Sequence, residues 1–234
     1  MLDCALTITH DCAKLQPMTT DLTSYPRPSV AVDVAVLTVH GGAVNVVVVE
    51  SPWGAALPGT FLHSGETLAD AARRALAAKA HIEGLHFHQL RMFDDPARDD
   101  RGWVLSMAHC AEASLDSLPA DTELVAVHSG APVEPMAFDH ADMVSAAVSD
   151  MRARYAVRPD PSHLLPDRFT LLQLRTLYEV VFDRPLRKDT FRRHVIDSLT
   201  GTGDTTSAAG GRPAELYERR PGATFPSSIA ALLL

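Results

Sequence analysis

Apolar residues along the chain follow two periods, one typical of strands and one of helices. The β-branched runs VAVDVAVLTV at 30–39 and AVNVVVVE at 43–50 flank the glycine turn HGG, which predicts a hairpin within a buried sheet. Further apolar runs at 87–93, 102–112 and 122–128 predict three more strands. The front of the chain therefore predicts a mixed sheet, after a polar lead-in that ends in YPRP.

Segments with the sequence signals of helices lie between and after these strands. An alanine-rich helix is predicted over 67–80, with Thr67 as its N-cap and Asp70 completing a capping box. The glycine- and proline-containing stretch 51–66 before it predicts a loop. A second helix is predicted over 138–157, because an acidic first turn precedes an arginine-containing last turn.

The end of the chain predicts helix, turn, basic helix and hairpin. Thr170 is the expected N-cap of a helix over 169–182, and Asp189 of a second helix over 187–199. The tract TGTGDTTSAAGGRP at 200–213 then predicts a flexible hairpin. This order is that of a winged helix-turn-helix, so the predicted fold class is α/β (α+β), with a mixed-sheet domain first. The predicted units are a flexible segment 1–28, a sheet domain 29–137, a linker helix and connector 138–165, a winged helix-turn-helix 166–222 and a tail 223–234.

Composition narrows the class of protein. Among 234 residues, 46% are hydrophobic and 21% charged, which is enough apolar material for a full core. Three scattered cysteines, Cys4, Cys12 and Cys110, argue against a disulfide framework or a structural zinc site and favour a reducing compartment. No signal-peptide or membrane-spanning pattern is present, so we expect a cytoplasmic protein without a membrane partner.

Charge is distributed unevenly between the two parts of the chain. The net charge is -8, yet residues 1–150 hold 8 basic against 20 acidic residues and residues 151–234 hold 13 against 9. The front is therefore at -12 and the back at +4. This asymmetry makes the back part the candidate for contact with phosphate groups.

The segment LPGTFLHSGETLADAARRALAAKAHI resembles the Nudix box, G-x5-E-x7-R-E-U-x-E-E-x-G-U with U aliphatic. Glu66 matches the first glutamate and Arg74 the arginine, with Gly59 beside the position of the first glycine. Ala75, Ala78 and Lys79 stand where the box has three glutamates. Positions i, i+3 and i+4 share one face of a helix, and in active relatives that face binds magnesium.

Two methyl groups and an ammonium offer Mg²⁺ no anionic oxygen. We therefore expect no catalytic residues, no metal and no hydrolase activity. Loss of the carboxylates lets Lys79 or an arginine beside it bind a pyrophosphate directly, which suggests a sensor. The same charges are also typical of a solvated helix face, and this alternative stays open for Lys79.

A second segment, HQLRMFDDPARDDRGWVLSMAH, resembles the Nudix-related transcriptional regulators of NAD metabolism called NrtR. The resemblance makes Arg98 and Arg101 candidates for diphosphate or ribose contacts, although they could equally neutralise the neighbouring aspartates. Trp53 could stack on a base or be a core residue. The expected effector-site residues are Trp53, Gly59, Glu66, Arg74, Lys79, Arg98 and Arg101.

The basic helix RKDTFRRHVIDSL carries the DNA-binding prediction. Phe191, Val195 and Leu199, four residues apart, form its expected buried side. The outer face holds the residues predicted to contact DNA, with Arg212 added from the wing: Lys188, Thr190, Arg192, Arg193, His194 and Arg212. Arg219 and Arg220 follow Arg212, where a hairpin tip could reach the DNA backbone or the minor groove. FT-x-x-x-L-x-x-x-Y-E, FRR and GRPA-x-LY in this part also match NrtR. A solvated basic face is the alternative.

The resemblance implies a dimeric repressor of NAD biosynthesis and salvage genes. Its Nudix-like domain would sense ADP-ribose or a related nucleotide and its winged helix would bind double-stranded operator DNA. No cofactor is expected beside this effector. A Nudix hydrolase acting on ADP-ribose and a ligand-binding protein without DNA function remain as alternatives.

Overall fold

The computed structural model describes residues 21–206 and 213–233. Its first part is an eight-stranded mixed sheet, and its second part is a helical unit with a three-stranded sheet, which confirms the predicted fold class. The strands of the large sheet are β1 (Ser29–His40), β2 (Ala43–Ser51), β3 (Gly54–Ala56), β4 (Gly59–Phe61), β5 (His88–Phe93), β6 (Val104–Glu112), β7 (Glu123–His128) and β8 (Ala131–Pro132). The helices are α1 (Leu68–Ala75), α2 (His140–Tyr155), α3 (Leu171–Val181), α4 (Lys188–Val195) and α5 (Ala230–Leu233). The small sheet contains β9 (Phe169–Thr170), β10 (Leu199–Thr205) and β11 (Glu215–Arg219).

Strand β1 organises the large sheet. The strand order is β5-β6-β1-β2-β7-β8, in which β1 and β6 run parallel and the other neighbours are antiparallel. Short β3 and β4 pair with β2 and β1, so the segment predicted as a loop holds two strands. These strands are three residues long each, which is too short for a periodicity signal.

The two faces of the sheet are covered by different helices. On β1, Val32, Val34 and Val36 pack with the alanines of α1, whereas Ala35 and Leu37 pack with α2. Successive side chains of a strand point to opposite faces, so β1 is buried on both sides. Asp33 lies in the row of alternate residues that faces α2.

Helix α1 begins as predicted. Thr67 accepts the Asp70 N–H and the Asp70 carboxylate accepts the Thr67 N–H, which completes the capping box. The α-helix ends at Ala75, however, and Leu76–Ala80 continue as a wider π-helical turn that ends at His81 with φ 56°.

The winged helix unit shares a core with the sheet domain. The buried residues of α2 pack on the sheet, and the same hydrophobic cluster continues into α3, α4 and the small sheet. Tyr178 is central, with ring contacts to Tyr155, Phe191 and Phe225 at 5.4 to 5.8 Å between centroids. The tail adds Phe225, Ile229 and Leu233 to this core. The predicted linker helix is therefore a buried component of both units.

Capping in the winged helix unit follows the sequence only in part. Thr170 caps α3 with Gln173 as its capping-box partner. The prediction that Asp189 caps the next helix was wrong, because α4 begins at Lys188 and Asp189 lies within its first turn. The N-cap is Arg187, which makes no side-chain capping bond. Phe191, Val195 and Leu199 are buried as expected, although Leu199 begins β10.

Candidate functional site

A cavity beside β1 gathers five of the seven residues predicted for the effector site. Trp53, Gly59, Lys79, Arg98 and Arg101 line it, together with Asp33 and His140 at its floor. The elements around it are β1, the ends of β2, β3 and β4, the loop before β6, and the first turn of α2. The segment before α1 and the start of α2 therefore both contribute to the walls of the cavity.

The mouth of the cavity is aromatic. The Arg101 guanidinium lies 4.5 Å from the Trp53 ring and 5.1 Å and 5.6 Å from those of Phe138 and Phe61. Both guanidinium–carboxylate bonds that Arg101 makes go to Asp99, at 2.8 and 2.7 Å, and they hold the pKa of Asp99 below its usual range. Trp53 is half-exposed and contacts Phe138, so it is not a core residue. Rings and a cation in this arrangement can hold a flat, electron-rich group.

The floor of the cavity is a buried polar chain. Ser106 donates to Asp33 at 2.5 Å, and His140 Nε2 lies 3.5 Å from the other Asp33 oxygen. The Leu57 N–H donates to His140 Nδ1 at 3.0 Å, which assigns the ring proton to Nε2. Burial lowers the pKa of His140, so the ring is neutral at physiological pH. None of these partners was predicted, although Asp33 within an apolar run was the available signal.

Arg98 is fixed at the inner wall of the cavity. Its guanidinium makes two bonds to Asp139, at 2.9 and 2.6 Å, and its side chain is only 4% exposed. Asp139 immediately precedes α2. Arg98 therefore connects the cavity to the start of this helix, and its partner is not one of the neighbouring aspartates considered from sequence.

Gly59 and Lys79 have different surroundings in the cavity. A Cβ on Gly59 would lie 1.8 Å from an Asp33 oxygen, so glycine is required for close packing here. Lys79 is exposed on the π-helical turn. Ala75 is buried whereas Ala78 and Lys79 are exposed, and of the three it is Lys79 that lines the cavity.

Glu66 and Arg74 lie outside the cavity lining and bind each other. Two bonds of 2.8 Å join the guanidinium to the carboxylate, and Arg74 also donates to Thr60 Oγ1 and the Phe61 carbonyl. The Arg74 bonds lower the pKa of Glu66 to about 2. This ion pair joins α1 to the segment between β4 and α1 and so fixes the conformation of that wall of the cavity.

The exposed face of α4 carries the basic side chains. Lys188, Arg192 and Arg193 are exposed, and Thr190 and His194 are half-buried. His194 Nδ1 lies 2.8 Å from the Thr190 carbonyl, so this ring is engaged within the helix. Arg212 lies outside the described residues. Arg219, considered from sequence as a further wing contact, is instead buried in an ion pair with Asp160.

The fold defines a class: a Nudix-like sheet domain with a cavity beside β1, followed by a winged helix domain whose helix α4 exposes basic side chains. Residues 161–218 match the model of the NrtR DNA-binding winged helix domain. Over 209 residues the chain is 29% identical to the ADPR responsive transcriptional repressor NtrR of Acinetobacter baylyi, with 82% of each chain covered. The winged helix domain of the chain thus matches the NrtR type, and the chain as a whole is similar to an NrtR-type repressor.

Solved structures of NrtR are similar to this chain over both units. The crystal structure of Shewanella oneidensis NrtR complexed with a 27mer DNA has a TM-score of 0.67 at 28% identity, covering 82% of this chain and 94% of that one. A crystal structure of the same regulator has a TM-score of 0.66 at 26% identity, covering 84% and 97%. The described residues contain no helix long and apolar enough to span a membrane.

Proposed function

We propose that this protein is a transcriptional repressor that binds double-stranded operator DNA of NAD biosynthesis and salvage genes. Binding of ADP-ribose to the protein would release it from this DNA. The observation that carries the proposal is an exposed basic helix α4 within a domain that matches an NrtR DNA-binding winged helix. The proposed sensing, connecting and DNA-binding units are 29–137, 138–165 and 166–222. The name of the Acinetobacter relative supports ADP-ribose as the effector.

The cavity beside β1 is the proposed effector site. The base would stack against Trp53 at the aromatic mouth, where Arg101 already contacts three rings. The diphosphate would lie between the cations of Lys79 and Arg101, since both line the cavity. Glu66 and Arg74 would support its wall without contacting the ligand.

The proposal assigns this domain no hydrolase activity and no cofactor. Magnesium-dependent hydrolysis requires a group of carboxylates, and Ala75, Ala78 and Lys79 supply none on the helix that follows Glu66. Glu66 itself is bound by Arg74. An ammonium at Lys79 favours binding of the diphosphate over binding of a metal.

Coupling between the two sites is proposed to run through α2. Arg98 lines the cavity and holds Asp139 at the first turn of this helix. At the other end, Arg152 donates to the Val181 carbonyl at the end of α3. A ligand that draws Arg98 away from Asp139 therefore acts on the helix that supports the DNA-binding unit. In a homodimer, such a shift changes the spacing of two recognition helices, which must match half-sites one helical turn apart.

Fluorescence anisotropy of labelled promoter fragments from NAD synthesis and salvage genes tests the DNA-binding proposal. We expect Arg192→Ala and Arg193→Ala to weaken binding and each to reduce the slope of log affinity against log salt by about one. Arg73→Ala, an exposed arginine on α1, is the matched control and should bind as the unmodified protein. No binding to any promoter, or equal effects of all three variants, would contradict the proposal.

Addition of ADP-ribose to the same complexes tests the effector. Release of DNA by the unmodified protein, with Trp53→Ala requiring a higher ADP-ribose concentration, is the expected result. Asp139→Asn should bind DNA but respond less to ADP-ribose if coupling passes through Arg98. Magnesium-dependent formation of AMP from ADP-ribose would instead favour the hydrolase alternative.

A further inference from the structure

Three side chains of metal-ligand type meet where α2 covers the edge of the large sheet. His88 and Cys110 are paired across β5 and β6, and Asp150 lies on α2. One potential ligand atom from each residue lies within 4.8 Å of the other two, the only such group in the part of the chain that the structure describes. We propose that His88, Cys110 and Asp150 bind one divalent transition metal ion of the zinc type.

The set of donors fits this class of metal. Zn²⁺ binds imidazole nitrogen, thiolate sulfur and carboxylate oxygen, and three protein ligands with one open position are a common arrangement. His88 Nε2 and an Asp150 oxygen already lie 2.8 Å apart. Two of the ligands are register partners on adjacent strands and the third is on a packed helix, so the backbone fixes their spacing.

The site has an entrance and a second layer of polar groups. A cavity lined by His88, Glu112, Arg154 and Ser162 opens beside it, which gives the metal a path and its fourth position a place for water. Glu112 Oε1 lies 3.6 Å from Cys110 Sγ and accepts from Arg154. Ligands of metals are commonly held by such outer hydrogen bonds.

Charge in the cluster also favours a metal ion. Glu112 and Asp150 are two carboxylates that share one guanidinium, Arg154. A divalent ion that displaces the thiol proton of Cys110 into water adds one net positive charge beside these two carboxylates. The Arg154 side chain is one-third exposed and can move as the metal enters while keeping its contact with Glu112.

The sequence argues against a structural zinc site because its three cysteines are odd in number, scattered and without CxxC spacing. A single cysteine gives no CxxC signal, and the two other ligands come from residues 22 positions before and 40 positions after it. Only the pairing of β5 with β6 and the position of α2 bring them together.

Titration of the full chain with Co²⁺ tests the proposal by absorption spectroscopy. We expect one Co²⁺ per chain to bind with release of one proton and to give a thiolate-to-cobalt charge-transfer band, which is lost when Zn²⁺ displaces the Co²⁺. The Cys110→Ser variant should lose the band, whereas Cys4→Ser and Cys12→Ser, the matched controls, should retain it. A band that survives in Cys110→Ser, or no band in the unmodified protein, would overturn the assignment.

Two further variants keep the test decisive if Cys110→Ser does not fold. His88 is partly exposed and Asp150 is about one-third exposed, so His88→Ala and Asp150→Asn preserve the core. Each should weaken Co²⁺ binding by on the order of tenfold or more. Unchanged affinity in both variants would show that Co²⁺ binds elsewhere. The test does not use DNA or ADP-ribose, so its outcome is independent of the repressor proposal.

Discussion

The fully buried carboxylate of Asp160 joins α2, the connector and the wing strand β11. It accepts the Tyr155 hydroxyl at 3.0 Å and the Leu164 and Leu165 N–H groups at 2.9 and 3.0 Å, and it pairs with Arg219. We expect Asp160→Asn to be strongly destabilising. Asparagine keeps the size of the side chain and tolerates the backbone φ of 43°, so the variant removes the charge and replaces one accepting oxygen with an N–H donor.

The magnitude follows from the burial of both partners. The Arg219 side chain is 11% exposed and Asp160 is 0% exposed, so the substitution leaves a guanidinium buried without its counter-charge. Breaking a buried ion pair in this way costs about 3–5 kcal/mol. For a chain of this size, 1 kcal/mol shifts the melting temperature by about 2–4 °C, so we expect a decrease of about 6–20 °C.

Thermal unfolding followed by circular dichroism measures this effect, with Asp204→Asn as the control. Asp204 pairs with Arg168 on the surface, where both side chains are more than half exposed, and an exposed pair contributes about 0–1 kcal/mol. Equal melting temperatures for the two variants would refute the argument that burial decides the cost. The difference in melting temperature between Asp160→Asn and Asp204→Asn should persist at high salt, since a buried ion pair is screened much less than an exposed one.

Three other predictions concern the effector cavity. Gly59→Ala places a methyl group against Asp33 and should lower the free energy of unfolding by about 1–3 kcal/mol, measured in urea. Because Arg74 lowers the pKa of Glu66 to about 2, the pair stabilises the fold above pH 4.5, and this contribution is lost as the pH falls toward 2. The difference in free energy of unfolding between the unmodified protein and Glu66→Gln should therefore shrink between pH 4.5 and pH 2. Burial lowers the pKa of His140 below its ordinary value of 6.5, so the buried ring should lower the free energy of unfolding as the pH falls below 6.5, and NMR titration should find the midpoint of the ring below 6.5.

Local signals in the sequence predicted most elements of the fold. The capping box at Thr67 and the N-cap at Thr170 form as expected, because each cap and its bonding partner lie within three residues of each other. The β-branched runs form β1 and β2 because a nearly continuous apolar run is typical of a strand that is buried on both faces of its sheet. By contrast, the π-helical turn at Leu76–Ala80 has no composition signal, since alanine and leucine are equally compatible with a regular α-helix.

The polar chemistry of the cavity was less predictable because its partners are distant in the sequence. Asp33 and Ser106 are 73 residues apart, and Arg98 and Asp139 are 41 apart. The resemblance to NrtR made Arg98 a candidate for ligand contact, but only the placement of α2 identifies Asp139 as its partner. Arg219 illustrates the same point, since its charge suggested DNA and its burial assigns it to Asp160.

Helix α2 explains why the two units cannot be treated as separate. Its 16 residues form a rod of about 24 Å, with Asp139 at one end beside the cavity and Tyr155 at the other end beside Asp160. Its sequence shows no single apolar stripe, because one side packs on the sheet and another packs on α3. A helix buried on two sides moves as a unit, since close-packed interiors transmit displacements rather than absorb them. A change in the contacts of Arg98 at the cavity must therefore either be resisted by the whole core or reach the winged helix.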